Sequence, residues 1–240
     1  MRKEHRPYAV KRLNIKLHEL YTRHFIKPQL DHLGRGFMFV RPWNIKIFGA
    51  PITIGNYANI LATSDRKVRL TVWPVEKDLG RISIGDCCLI CPGARISSAV
   101  EITIDDSSMI ASNVFITDAD WHGAYDRVHK IGTAKPVIIR KNVWIGDSTI
   151  VCKGISIGEN SIIGAGSVVA KNIPPNVIAA GNPARVVREL DTEKPMFTRS
   201  LWLADPARLQ EDLKFAERRL LAGNSLLYWI KTMSAPGKKD

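Results

Sequence analysis

The chain has 240 residues, 45% of them hydrophobic, and a formal net charge of +12. That length allows one large domain or two small ones, and the composition supports a real core. It contains no run of about 18 apolar residues, which excludes an ordinary membrane-spanning helix. The start, MRKEHRPYAVKRLNIKLHEL, lacks the continuous apolar core of a signal peptide, so a cytoplasmic protein is expected.

The first 35 residues carry nine Lys/Arg against three Asp/Glu, half of the whole excess. An anionic surface or substrate near the N-terminus is one reading, and a solvated basic helix is the other. No nucleic-acid motif accompanies the charge, so no nucleic-acid partner is expected. Residues 9–26 read as a helix that ends before Pro28. Val10, Leu13, Leu17, Leu20 and Tyr21 share one apolar face, and Lys11, Arg12, Lys16 and Arg23 lie elsewhere. The apolar face is expected to pack on the rest of the chain, with peripheral membrane contact as the alternative.

Beyond the helix the organising signal is a period of six. A trace at Phe48, Ile54 and Ile60 is broken over residues 61–80, which read as partly strand. The register returns at Ile84, Ile90 and Ile96, slips, and resumes at Ile104, Ile110 and Ile116. A second break follows, and the longest run is Ile139, Ile145, Val151, Ile157, Ile163 and Val169. Such a period excludes an amphipathic helix, which needs about 3.6. It fits a coil of short flat faces, each turn stacked on the last, with an inner ladder of β-branched residues. Small or β-branched residues at Val143, Thr149, Ile155, Ser161 and Ser167 fill the corners, and Gly146, Gly158 and Gly164 let the backbone bend, in places with positive φ. One coil cannot bury its own face, so many must stack.

The bunched Cys87, Cys88 and Cys91, with Cys152 remote, make no disulfide framework. No partner pair follows at zinc-finger spacing, so they read as small buried residues rather than metal ligands. The second break, residues 117–138, opens with FITDADWHGAYDR, a loop leaving a rigid scaffold, where chemistry usually sits. After the coil, LADPARLQEDLKFAERRLLAGN reads as a helix capped by Asp205, begun by Pro206 and ended by Gly223, and SLLYWIKTM as a short further helix. The expected division is a basic helical segment at 1–47, a coil domain at 48–190 and a helical extension at 191–240.

The units IGDSTI, IGENSI and IGAGSV resemble the hexapeptide repeat of the left-handed parallel β-helix acyltransferases. Residues 135–190 are similar to the end of a sugar O-acetyltransferase, of the galactoside/maltose acetyltransferase and polysaccharide or lipopolysaccharide O-acetyltransferase kinds. The resemblance covers roughly residues 48–190. It implies an all-β core with flanking helices, acetyl-CoA as acyl donor, no metal, a saccharide acceptor, and a homotrimer with its sites between subunits. The left hand comes only from the resemblance, because general rules predict right-handed crossovers.

An alcohol is a poor nucleophile at neutral pH, so acyl transfer to it needs a base. An imidazole can take the alcohol's proton and return it to the departing thiolate. His122 falls where TDADWHG resembles the histidine motif of these enzymes, with a backbone carbonyl, Asp118 or Asp120 available to fix its tautomer. His129, seven residues on, has no motif support. The γ-type carbonic anhydrases share this fold but need several coil histidines as zinc ligands, and only His122 and His129 lie in the coil and its loops.

On the cofactor side the resemblance implies that Trp144 lines the pocket, Asp147 lies beside the CoA arm, and Ala165 contacts pantetheine. Ala170 and Lys171 match a Thr-Lys pair near it, and Arg185 and Arg188 match basic residues near the nucleotide phosphates. On the acceptor side the chain departs from the galactoside enzymes: their Tyr, Asn and Asp positions fall at Leu89, Cys91 and about Ala99. Cys91, Asp120, Trp121 and Tyr125 are the acceptor-side candidates, and a lipid- or phosphate-linked saccharide of a cell-surface polymer is the expected acceptor class. N-acetylation of an amino sugar and a non-catalytic hexapeptide scaffold remain as alternatives.

Overall fold

The computed structural model describes residues 4–76, 79–128, 131–235 and 237. The period of six becomes a triangular coil in which every turn gives one short strand to each of three parallel sheets, a left-handed parallel β-helix. Face A is built from His32–Leu33, Ile52–Ile54, Ile82–Ile84, Ile102–Ile104, Val137–Ile139 and Ser156–Ile157. Face B runs from Met38–Val40 through Leu89–Ile90 and Trp144–Ile145 to Val177–Gly181, where Ala184–Glu189 returns antiparallel as a hairpin. Face C holds Ile45–Phe48, Val68–Val72, Arg95–Ser98, Phe115–Thr117, Ile150–Val151 and Val168–Val169.

The inner ladder is the sequence repeat read in register. Ile84, Ile104, Ile139 and Ile157 stack on face A, and Ile96, Ile116, Val151 and Val169 on face C. These side chains are buried, most of them completely. A β-branched residue suits this place because its stiff side chain loses little freedom in a strand and meets its copy one coil away.

Glycines after the ladder residue serve close approach rather than bending. A Cβ on Gly146 would lie 2.6 Å from the Ala165 nitrogen, and one on Gly158 would strike Pro175. The positive-φ corners come later in each unit, at Cys87, Ser107, Asn142, Asn160 and Asn176 on the A–B edge. The three asparagines chain together, Asn142 donating to Asn160 at 3.0 Å and Asn160 to Asn176 at 2.9 Å.

Two expectations about where the coil runs need correction. The coil begins at His32, inside the stretch read as a lead-in before residue 48. Phe48 is not an inner ladder residue: it ends a strand with its ring 49% exposed. The break at 61–80 is partly strand as expected: Val68–Val72 completes face C as a regular rung between two short corner insertions.

Helix α1 spans Tyr8–Tyr21 and continues as a π-turn over Thr22–Ile26. It docks with a face that shares only its edge with the expected one: Tyr21 packs on the core, but the leucines do not. His18, Thr22 and Ile26 are buried, and Trp43 sets its ring edge-on to His18 at 5.1 Å and to Tyr21 at 5.8 Å. Leu13, Leu17 and Leu20 remain 58%, 51% and 62% exposed. The π-turn carries Ile26 into the hydrophobic core that also holds Phe39.

Helix α2 spans Arg199–Trp202, α3 Pro206–Leu220 and α4 Leu226–Ser234. Asp205 caps α3, accepting from the Arg208 N–H at 3.0 Å, and Gly223 takes a positive φ beyond its end. The segment before α3 runs back along the A–B edge. Arg199 donates to the Cys87 carbonyl at 2.7 Å and to Asn59 Oδ1 at 2.6 Å, and Ser200 N–H donates to Ser107 at 3.1 Å. Helices α3 and α1 are joined by Lys11–Glu217 at 2.9 Å and by Arg218 over the Tyr8 ring.

Candidate active site

The loop carrying His122 leaves the C–A edge after Phe115–Thr117 and rejoins face A at Val137–Ile139. A short antiparallel stem closes its base. Lys135 N–H donates to the Asp118 carbonyl at 2.8 Å, Asp120 N–H to Thr133 at 2.9 Å, and Gly132 N–H back to Asp120 at 2.7 Å.

Asp118 anchors this stem from inside. Its carboxylate is fully buried and accepts four hydrogen bonds from the preceding coil: Ser98 Oγ at 2.8 Å and the N–H groups of Ala99, Val100 and Glu101 at 2.6, 2.8 and 2.7 Å. A carboxylate filled this way has no lone pair left for the imidazole, so Asp118 holds the loop and does not orient His122. Asp120 is also engaged elsewhere, 2.6 Å from Lys153 Nζ on the next coil. Neither partner stood out in the sequence. The available sign was the corner Ala99–Glu101, which has no Gly or Asn and must be held from outside.

Of the three candidates for fixing the tautomer, the backbone carbonyl takes the place. His122 Nδ1 lies 3.0 Å from the Arg127 carbonyl oxygen. A carbonyl only accepts, so Nδ1 carries the proton and Nε2 keeps its lone pair. The ring is exposed, so a proton can reach it. Such a group can accept a proton from an incoming hydroxyl or amine and give it to a leaving group. His129 lies outside the described residues.

The neighbours separate. Trp121 folds back, its Nε1–H donating to Thr117 Oγ1 at 3.1 Å, and lines a cavity of about 190 Å³ with Trp73, Ser97 and Ile131. Trp73 and Ser97 had not been singled out from the sequence. Tyr125 points fully into solvent and touches none of this.

The remaining candidates divide between edges of the prism. Ala170 and Lys171 follow the last face-C strand, on the His122 edge. Asp147 and Ala165 lie on the B–C edge, one coil apart, where the Gly166 N–H donates to the Asp147 carbonyl at 2.8 Å. Cys91 enters that same edge after Leu89–Ile90, and Trp144 stands on face B, 48% exposed. Arg185 and Arg188 extend from the terminal hairpin. Face C therefore lies between His122 and the B–C group. Cys91 is not beside His122 within one chain.

Burial disfavours the thiolate at all four cysteines. Burial pushes the Cys88 thiol up to about 12 and raises Cys87, Cys91 and Cys152 as well. Cys88 donates weakly to the Asp105 carbonyl at 3.3 Å. Among the described residues no three His, Cys, Asp or Glu side chains gather as a metal site.

Comparison with known proteins agrees with this architecture. Residues 136–171 match the bacterial transferase hexapeptide (six repeats) family. The galactoside O-acetyltransferase of Escherichia coli (strain K12) is 46% identical over 92 residues, 38% of this chain and 45% of that protein. The Saccharomyces cerevisiae (strain ATCC 204508 / S288c) protein YJL218W is 42% identical over 127 residues, 52% of this chain and 64% of the relative. The chain thus spans about half the length of these curated relatives. Among solved structures, the D94A mutant of AntD, an N-acyltransferase from Bacillus cereus in complex with dTDP and coenzyme A, superposes with a TM-score of 0.55. It is 19% identical and covers 83% of this chain and 95% of its own, a likeness of fold. The chain is thus similar to hexapeptide-repeat transferases over residues 136–171, and its fold is like that of an acyltransferase of known structure.

Proposed function

We propose that the protein transfers acetyl from acetyl-CoA to a hydroxyl of a saccharide, with His122 as general base. The observation that carries this is the Nδ1 contact to the Arg127 carbonyl, which leaves Nε2 as the basic nitrogen. In the step, Nε2 takes the proton of the sugar hydroxyl as its oxygen attacks the thioester carbon. The tetrahedral intermediate collapses with cleavage of the C–S bond, and the imidazolium returns the proton to the departing CoA thiolate. The products are the acetyl ester and free CoA. Galactoside O-acetyltransferase, similar over 92 residues, supports the reaction class.

The division of candidates between two edges supports a homotrimer. Trp144, Asp147 and Ala165 of one subunit would hold pantetheine against the His122 edge of the next, with Lys171, Arg185 and Arg188 supplying charge for the CoA phosphates. Trp121 is the acceptor contact we retain, with Asp120 positioned through Lys153. Tyr125 and Cys91 would reach an acceptor only across a subunit boundary. The acceptor class is a precursor of a cell-surface polysaccharide or lipopolysaccharide, modified in the cytoplasm where acetyl-CoA is made available. The exposed Leu13, Leu17 and Leu20 stripe offers peripheral contact with a membrane, and among the described residues no helix is long and apolar enough to cross one.

N-acetylation of an amino sugar is the second reading, favoured by AntD, which was solved with dTDP-4-amino-4,6-dideoxyglucose and coenzyme A. Incubating the protein with acetyl-CoA and a panel of saccharides, while following thiol release and product mass, tests both. Hydroxylamine cleaves an ester product and spares an amide. Absence of acetyl-CoA binding and turnover would leave the scaffold reading.

A further inference from the structure

The outward side of face C carries a row of cations that no role described above uses. Lys46 pairs with Arg69, and Arg69 with Arg95, in direct register across three consecutive rungs. All three side chains are exposed. The next rung places Phe115 opposite Arg95, and the Arg95 guanidinium lies 4.4 Å from the centre of that ring. None of the described carboxylates pairs with Lys46, Arg69 or Arg95. The strands of face C contain no acidic residue at all. Like charges directly opposite in a sheet repel, at rungs only about 4.8 Å apart. A stack of three without a counter-charge suits a surface that receives an anion.

The row beside it leads to the base of the His122 loop. Phe48, Thr71, Ser97 and Thr117 are the next outward residues on the same strands. Thr71 donates to Ser97 at 3.0 Å, Thr117 accepts from Trp121, and Trp73 stacks on Phe48 at 4.1 Å. This row ends at the cavity between Trp73 and Trp121, at the root of the His122 loop. Two residues along a strand separate the rows by roughly 7 Å. Indole faces suit the C–H face of a sugar ring, and a row of guanidinium groups suits phosphate oxygens better than a lone carboxylate.

We propose that Lys46, Arg69 and Arg95 bind a phosphate or pyrophosphate group carried by the acceptor, whose sugar ring lies in the Trp73–Trp121 cavity beside His122. A pyrophosphate spans neighbouring rungs and neutralises the row. The inference rests on the acyl-transfer reading and names its acceptor as a phosphate-linked saccharide.

The test is calorimetric titration of the intact protein with inorganic pyrophosphate and, separately, with acetyl-CoA. Wild type should bind pyrophosphate saturably. R69Q/R95Q should weaken it tenfold or more while keeping the affinity for acetyl-CoA. R208Q/K214Q, which removes two charges from α3, should change neither. Competition with uridine diphosphate and with farnesyl diphosphate then separates a nucleotide carrier from a lipid carrier, either of which supports the site. No saturable pyrophosphate binding, or binding unaffected by R69Q/R95Q, overturns the proposal. A matching loss of acetyl-CoA affinity also overturns it, by assigning the row to the donor. If wild type fails to bind acetyl-CoA, the acyl-transfer reading falls instead, whatever pyrophosphate does.

Discussion

The His122 imidazole is oriented by a backbone carbonyl of its own loop, Arg127, 3.0 Å from Nδ1, rather than by a carboxylate. No charged partner is needed to leave Nε2 basic. His122→Ala should lower turnover by about 10²–10⁴-fold, the range for losing a general base. Thermal melting should stay at the wild-type value, because the ring is exposed. Near-wild-type turnover in the purified variant would remove His122 from the mechanism.

Asp118 controls the loop from below, through four hydrogen bonds to residues 98–101. Asp118→Ala strands three N–H groups at a buried corner, and each unsatisfied group costs about 1–3 kcal/mol. The expected result is a loss of about 3 kcal/mol or more in unfolding free energy. Amides 99–101 and the stem at 132–135 should exchange faster with deuterium. Unchanged exchange at those amides would show that the clamp is not holding the loop.

Ile157 is fully buried, stacked on Ile139 in the inner ladder of face A. Ile157→Asp places a carboxylate there with no partner, at a cost of several kcal/mol. Expression should give aggregated or unfolded chain. A soluble variant with a normal melting transition would contradict the register.

The leucine stripe of α1 makes the membrane reading testable without disturbing the fold. Lys11 is paired with Glu217, so the exposed Lys16 is the better cation to change. Wild type should sediment with phosphatidylglycerol vesicles at low salt and release as salt rises, since each basic residue contributes around 1 kcal/mol and is screened. Leu17→Ser with Leu20→Ser and Lys16→Glu should abolish sedimentation and leave the melting temperature unchanged. A stripe that instead mediates self-association would give no vesicle binding in wild type.

Arg199 straps the C-terminal segment to the A–B edge through Cys87 and Asn59. Arg199→Ala removes both charge-assisted hydrogen bonds, each worth about 1.5–3 kcal/mol. Limited proteolysis should then cut between residues 190 and 206 while the coil stays resistant. Wild-type protection of that segment would show that α3 and Lys11–Glu217 hold it alone.

The repeat determined the coil by itself. A period of six with Ile or Val at each step has no other way to bury its β-branched residues than to stack them, and Ile139 to Val169 did so in the register read from the chain. His122 became the candidate base through its resemblance to the family's histidine motif, TDADWHG, in a loop that interrupts so regular a pattern. Tertiary structure decided the rest. Helical periodicity marked an apolar face on α1, but packing against Trp43 and the coil made His18, Thr22 and Ile26 the buried side. Asp118 and Ser98 are 20 residues apart and meet because one coil lies on the next. The same stacking turns Lys46, Arg69 and Arg95, unremarkable in sequence, into one row. Which residues become neighbours across a coil depends on the lengths of the corners between them, and those insertions, at 62–67, 73–81 and 118–136, carry no period to read.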